Sequence, residues 1–143
     1  MTPVQQYEEG RAPIAPIPYH PDFEEVLSYF RAILKSQEVS DRAFELTSEV
    51  IDFSEGNYNA WFYRRVLIEK LGKSLQDEMA WLQEIGLDKE KNFQIWHHRK
   101  CIAEMLGEQM DLSAEMGFLD EIFESDWKNY HAWSYRIWLI ERF

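Results

Sequence analysis

Three segments of the chain share one skeleton, and its period limits what the chain can fold into. NYNAWFYRRVLIEKLG starts at Asn57, NFQIWHHRKCIAEMLG at Asn92 and NYHAWSYRIWLIERF at Asn129. In each, an Asn is followed by an aromatic residue, two variable positions, Trp, two more variable positions and Arg. Trp61, Trp96 and Trp133 are 35 and 37 residues apart, which is the length of one helix-turn-helix unit. The match extends upstream, with Phe44, Met79 and Met116 each 13 residues before the Asn, and Val50, Ile85 and Ile122 each seven before it. The repeating unit is therefore a pair of helices.

Each repeated position has a physical role. An Asn at a helix start can accept a hydrogen bond from an orphan backbone N–H, worth about 1 kcal/mol against alanine. Asn57, Asn92 and Asn129 are expected to be such N-caps. Each Trp shares a helix face with the residues three, four and seven further on, as Trp61 does with Arg64, Arg65 and Ile68, and is expected to fill the gap between stacked pairs. Gly72 and Gly107 follow the last apolar residue of their helices, where a left-handed residue would end them. The periodicity predicts helices over 41–53, 58–71, 75–86, 93–106, 112–125 and 130–143. They are preceded by a helix from residue 22 with Phe23, Val26, Leu27, Phe30, Ile33 and Leu34 on one stripe. Nothing reads as a strand, so the fold class is all-α. All five prolines fall before residue 22, which divides the chain into an extended arm, 1–21, and a helical-repeat domain, 22–143.

Composition removes several function classes. Fifteen Lys+Arg against 26 Asp+Glu give a formal charge of −11, which opposes nucleic-acid backbones and anionic lipid. No run approaches the roughly 18 apolar residues of a spanning helix, and prolines occupy the stretch where a signal peptide would be apolar. Cys101, the single cysteine, excludes an intramolecular disulfide and suits a reducing compartment, so a cytoplasmic location is expected. Gly72-Lys73-Ser74 imitates the end of a phosphate-binding loop, but Leu67 stands where the first glycine is required. The adjacent carboxylates Glu24-Glu25 and Asp120-Glu121 read as solvated helix faces. The stretch KNFQIWHHRK, 91–100, admits three readings: a metal site, an anion site or a packed helix. His97 and Cys101 share a face but supply only two donors, too few for zinc. His97, His98, Arg99 and Lys100 read as packing and ion-pairing groups. Lys91 and His131 stand at helix starts, where free N–H groups and the helix dipole favour anions, and Tyr130 adds a hydroxyl donor.

The N-[YF]-x-x-W-x-x-R skeleton resembles the repeats of protein prenyltransferase α subunits. KNFQIWHHRK and KNYHAW look most like the α subunit shared by farnesyltransferase and type I geranylgeranyltransferase, and the likeness runs over nearly everything after the arm. It implies an α-α superhelix, a right-handed, tetratricopeptide-like crescent of helical hairpins that wraps a separate β subunit. The resemblance also implies an activity: transfer of a farnesyl or geranylgeranyl group from its diphosphate to the cysteine of a C-terminal CaaX sequence. Only the complex would be active, with zinc on the β subunit and magnesium admitted at the diphosphate; no metal is assigned to this chain. On the matching positions, Lys91, Tyr130 and His131 become the catalytic and diphosphate-binding residues. Phe93 stands where the family often has Tyr, so a hydroxyl is missing there. The family's α subunits carry further repeats, which implies a piece of a longer subunit or a short paralogue, with Ile137, Trp138, Leu139 and Ile140 uncovered. Two rivals share the skeleton: a non-catalytic tetratricopeptide-like interaction module and a Rab-type geranylgeranyltransferase α subunit.

Overall fold

The computed structural model of the chain describes residues 21–87 and 92–143. The proline arm, apart from Pro21, and Lys91 lie outside these residues. The described backbone forms α1 (Pro21–Ser36), α2 (Asp41–Phe53), α3 (Tyr58–Leu71), α4 (Leu75–Gly86), α5 (Phe93–Leu106), α6 (Leu112–Ser125) and α7 (Tyr130–Arg142), with a 3-10 turn at Gly107–Gln109 after α5. No strand occurs among the described residues.

Side-chain caps set the helix starts. Asn57 accepts from the Ala60 N–H at 3.2 Å, Asn92 from Gln94 at 2.8 Å and Asn129 from Ala132 at 3.1 Å. Ser40, Ser74 and Asp111 cap the first helix of each pair in the same way. Thus the Gly72-Lys73-Ser74 stretch is a helix stop followed by a cap. Gly72 ends α3 in the left-handed region, φ 64° and ψ 40°. Gly107 differs from the expectation: its φ is 55° but its ψ is −121°, because the chain turns directly into the 3-10 segment.

The chain divides into two compact units, one closing at Gly72 and the other Lys73–Phe143. In the first, α2 packs against both α1 and α3, burying Ile33, Val50, Ile51, Trp61 and Leu67. In the second, α4 packs on α5, α6 on α7, and α5 on α7, around Leu82, Ile102, Leu119, Ile122 and Leu139. A Cβ added at Gly86 would lie 3.0 Å from the Phe118 ring, so glycine lets α4 and α6 approach there.

The tryptophans close the hairpins as well as fill them. The Trp61 indole N–H donates to the Glu55 carbonyl at 2.7 Å, and that of Trp133 to the Trp127 carbonyl at 2.6 Å. Both bonds reach back six residues, across the hairpin turn. Trp61 and Trp96 are buried, whereas Trp133 is 43% exposed, since no described helix covers that face of α7. Ile137 and Ile140 share this exposure, but Leu139 is fully buried. It points toward the unit's own core, contrary to the expectation that all four residues 137–140 would be uncovered.

Two outcomes follow from this packing. Trp96→Ala should lower stability by about 3–5 kcal/mol, the cost of deleting a core aromatic, read from denaturant unfolding. Glu38, between α1 and α2, accepts from Arg42 Nε at 2.8 Å and from Ser40 Oγ at 2.7 Å. These bonds, Arg42's foremost, lower its carboxyl from 4.5 to about 2. Because the folded pKa is depressed, the stabilisation is present above the unfolded value and is lost as pH falls from 4.5 toward 2. Glu38→Gln should flatten that part of a plot of Tm against pH.

Candidate functional site

The second unit holds a cavity of about 260 Å³ between α5 and α7. One helical face of α5 supplies Phe93, Trp96, His97 and Lys100, at the i, i+3, i+4, i+7 spacing that brings side chains together. From α7 come Tyr130 and His131 in the first turn, then Ser134, Tyr135 and Trp138. The cavity therefore joins the KNFQIWHHRK segment to NYHAW.

Its upper end is formed at the two helix starts. Phe93 stacks on His97, with ring centroids 6.0 Å apart, and meets His131 edge-on at 6.1 Å. Tyr130 lies 5.8 Å from the His131 ring and is 76% exposed, so its hydroxyl is open to a ligand. Further down, Lys100 places its ammonium over the Trp138 ring, 5.1 Å from the centroid. Trp96 packs against Phe118 and Tyr135, at 6.0 and 5.7 Å.

A buried polar network holds these walls. Arg99 on α5 grips Glu115 on α6 with two bonds, Nε to Oε2 at 2.8 Å and Nη2 to Oε1 at 2.6 Å. The Tyr135 hydroxyl on α7 donates to Glu115 Oε2 at 2.6 Å. The Arg99 guanidinium also lies over Phe118, 3.8 Å from the ring centroid. Burial, reinforced by the Glu115 charge, holds the Tyr135 phenol proton well above its ordinary pKa. A second buried pair, His98 Nε2 to Glu78 Oε2 at 2.8 Å, joins α5 to α4, with Trp81 edge-on to the imidazole.

Of the residues expected at a site, Tyr130 and His131 are brought together on the cavity's rim, while Lys91 precedes Asn92 in sequence and lies outside the described residues. His98, hydrogen-bonded to Glu78, and Arg99, ion-paired with Glu115, are packing groups. His97 and Lys100 also line the cavity, and sequence reasoning missed this role, as it missed Trp138, Glu78 and Glu115. Glu78 and Glu115 occupy the same repeat position, 14 residues before Asn92 and Asn129; that register was the available signal. His97 Nε2 lies 3.7 Å from Cys101 Sγ, but two donors do not suit a zinc ion. Among the described residues no group of three or more His, Cys, Asp or Glu could hold a metal, and no helix is long and apolar enough to cross a membrane.

Capped helical pairs repeated around Trp and Arg define an all-α helical-repeat protein. The protein prenyltransferase alpha subunit repeat matches residues 40–71, 75–106 and 112–143, and the chain belongs to that family. It is 36% identical over 138 residues to the Candida albicans protein farnesyltransferase/geranylgeranyltransferase type-1 subunit alpha, a match covering 91% of this chain and 44% of that one. The tomato (Solanum lycopersicum) subunit of the same name is 45% identical over 89 residues, 62% of this chain and 25% of the relative. Among solved structures, Candida albicans protein geranylgeranyltransferase-I complexed with GGPP superposes with a TM-score of 0.89 at 36% identity, over 98% of this chain and 48% of that one. The chain thus spans less than half the length of these relatives.

Glu115→Ala would strand the Arg99 guanidinium, whose side chain is only 3% exposed. The loss should be about 3–5 kcal/mol, seen as a lower urea midpoint.

Proposed function

We propose that the chain acts as the α subunit, or its N-terminal part, of a heterodimeric protein prenyltransferase. Joined to a β subunit, it would support transfer of a farnesyl or geranylgeranyl group to the cysteine of CaaX proteins. Membership of the family supports the class. The observation that carries the site is the meeting of Tyr130 and His131 with Phe93 at the starts of α5 and α7.

The chemistry asked of these residues is electrostatic. As the bond between the prenyl carbon and the diphosphate oxygen breaks, negative charge grows on the leaving group while the acceptor sulfur forms its bond to that carbon. Fixed donors aimed at the leaving oxygens stabilise this charge most in the transition state. Tyr130 donates through its exposed hydroxyl, His131 through a ring N–H, and Lys91 supplies a point charge from the residue before the α5 cap. Zinc on the β subunit would supply the acceptor as thiolate. Phe93 provides no donor, so its contribution is to position His131 through the edge-on ring contact.

The test is co-expression with a prenyltransferase β subunit, followed by co-purification and a transfer assay on a CaaX peptide. Lys91→Ala and His131→Ala should each slow transfer about 100-fold to 1,000-fold, the range for losing one transition-state donor, while the heterodimer still forms. Equal loss of assembly and transfer would make these residues structural. Assembly with no transfer by the parent chain would favour a non-catalytic subunit.

A further inference from the structure

The lower half of the cavity contains a cation, Lys100, that neither the fold nor the diphosphate reading uses, over Trp138, whose ring also stacks on Tyr135 at 5.8 Å. Lys100 stands at a repeat position occupied by Arg65 and Ile137 in the other two repeats, and Trp138 at one occupied by Val66 and Cys101. The skeleton therefore requires neither a cation nor an indole there. Seven residues separate Phe93 from Lys100, a rise of about 10 Å along a helix, so Lys100 stands two turns below the rim.

Charge sharpens the point. The chain carries 26 acidic side chains against 15 basic ones, yet among the described residues no Asp or Glu lines this cavity; the titratable side chains among its described lining, the Tyr130 and Tyr135 phenols apart, are His97, Lys100 and His131. Among the described residues no carboxylate pairs with Lys100, whose one contact is the Trp138 ring. The Tyr135 hydroxyl is committed to Glu115, so its ring presents an apolar surface to the cavity. An exposed ammonium held over an indole, with Trp96 and Tyr135 beside it, suits an anionic group carried on an apolar stem.

We infer that the Lys100–Trp138 half of the cavity receives an Asp or Glu side chain of the partner β subunit and anchors the heterodimer. The inference rests on the heterodimer proposed above. Docking would desolvate the ion pair against Trp138 and the Trp96 and Tyr135 rings. Such a pair fixes register, and truncating one member of it is costly because the other is left buried and unpaired.

The experiment measures Kd between this chain and a prenyltransferase β subunit for the parent and for Lys100→Ala, Lys100→Arg and Lys100→Glu, at low and high salt. Helicity and Tm serve as controls for folding. A carbodiimide, which joins a lysine amine directly to a carboxylate, is then applied to the complex and the product mapped by mass spectrometry. The expected result is a Kd raised at least about tenfold by Lys100→Ala, raised further by Lys100→Glu and restored by Lys100→Arg. Salt dependence should be weaker in Lys100→Ala, and a cross-link should join Lys100 to a β-subunit Asp or Glu. An unchanged Kd in a folded Lys100→Ala variant, or a complex without that cross-link, overturns the anchor and leaves the heterodimer standing. Loss of inorganic diphosphate binding with Kd unchanged would also overturn it, by making Lys100 a phosphate ligand. Failure of the parent chain to bind any β subunit would overturn both readings together.

Discussion

The second unit depends on one desolvated ion pair. Arg99 and Glu115, with side chains 3% and 6% exposed, face each other with two short bonds, and Tyr135 donates into the same carboxylate. Three helices, α5, α6 and α7, are tied at a single point. A guanidinium and a carboxylate removed from water tolerate little displacement, because each is costly without the other. The separation of α5 and α7, and so the cavity between them, is set by this contact and by Trp96 against Tyr135.

The first unit uses the same Arg position differently. Arg64 donates to Ser48 Oγ at 2.7 Å and Thr47 Oγ1 at 3.1 Å, and lies over Phe44 at 4.0 Å. There the guanidinium ties α3 to α2 within one hairpin, whereas Arg99 reaches forward to the following one. The aromatic stacking is kept while the hydrogen-bond partners change, so the Trp and Arg skeleton specifies a place in the packing more than a fixed set of bonds.

The functional consequence is a division of labour along α5. Residues on its inner faces, His98, Arg99, Ile102 and Ala103, are buried and hold the unit together. Residues of the face turned to α7, Phe93, His97 and Lys100, remain accessible to a ligand or partner. A helix capped by Asn92 and stiffened by the buried Arg99–Glu115 ion pair and the His98–Glu78 hydrogen bond is a suitable mount for such groups, since a fixed donor loses little entropy when it engages its acceptor.

Period and capping chemistry are local, and the sequence by itself determined them. The Asn caps, the Gly72 stop, the six helix spans from residue 41 on and the burial of Trp61 and Trp96 follow from spacing and from backbone groups that must be satisfied nearby. Tyr130 and His131 could be singled out for the same reason, as residues at a helix start. Other features belong to the tertiary structure alone. Nothing in HHRK tells which side chain turns inward; His98 finds Glu78 and Arg99 finds Glu115, while His97 and Lys100 face the cavity. Nor does the run Ile137 to Ile140 show that Leu139 is buried while Ile137 and Ile140 are exposed. These outcomes depend on which helix lies opposite, and partners 16 to 20 residues away in the chain leave no local trace except the shared repeat position of the two glutamates.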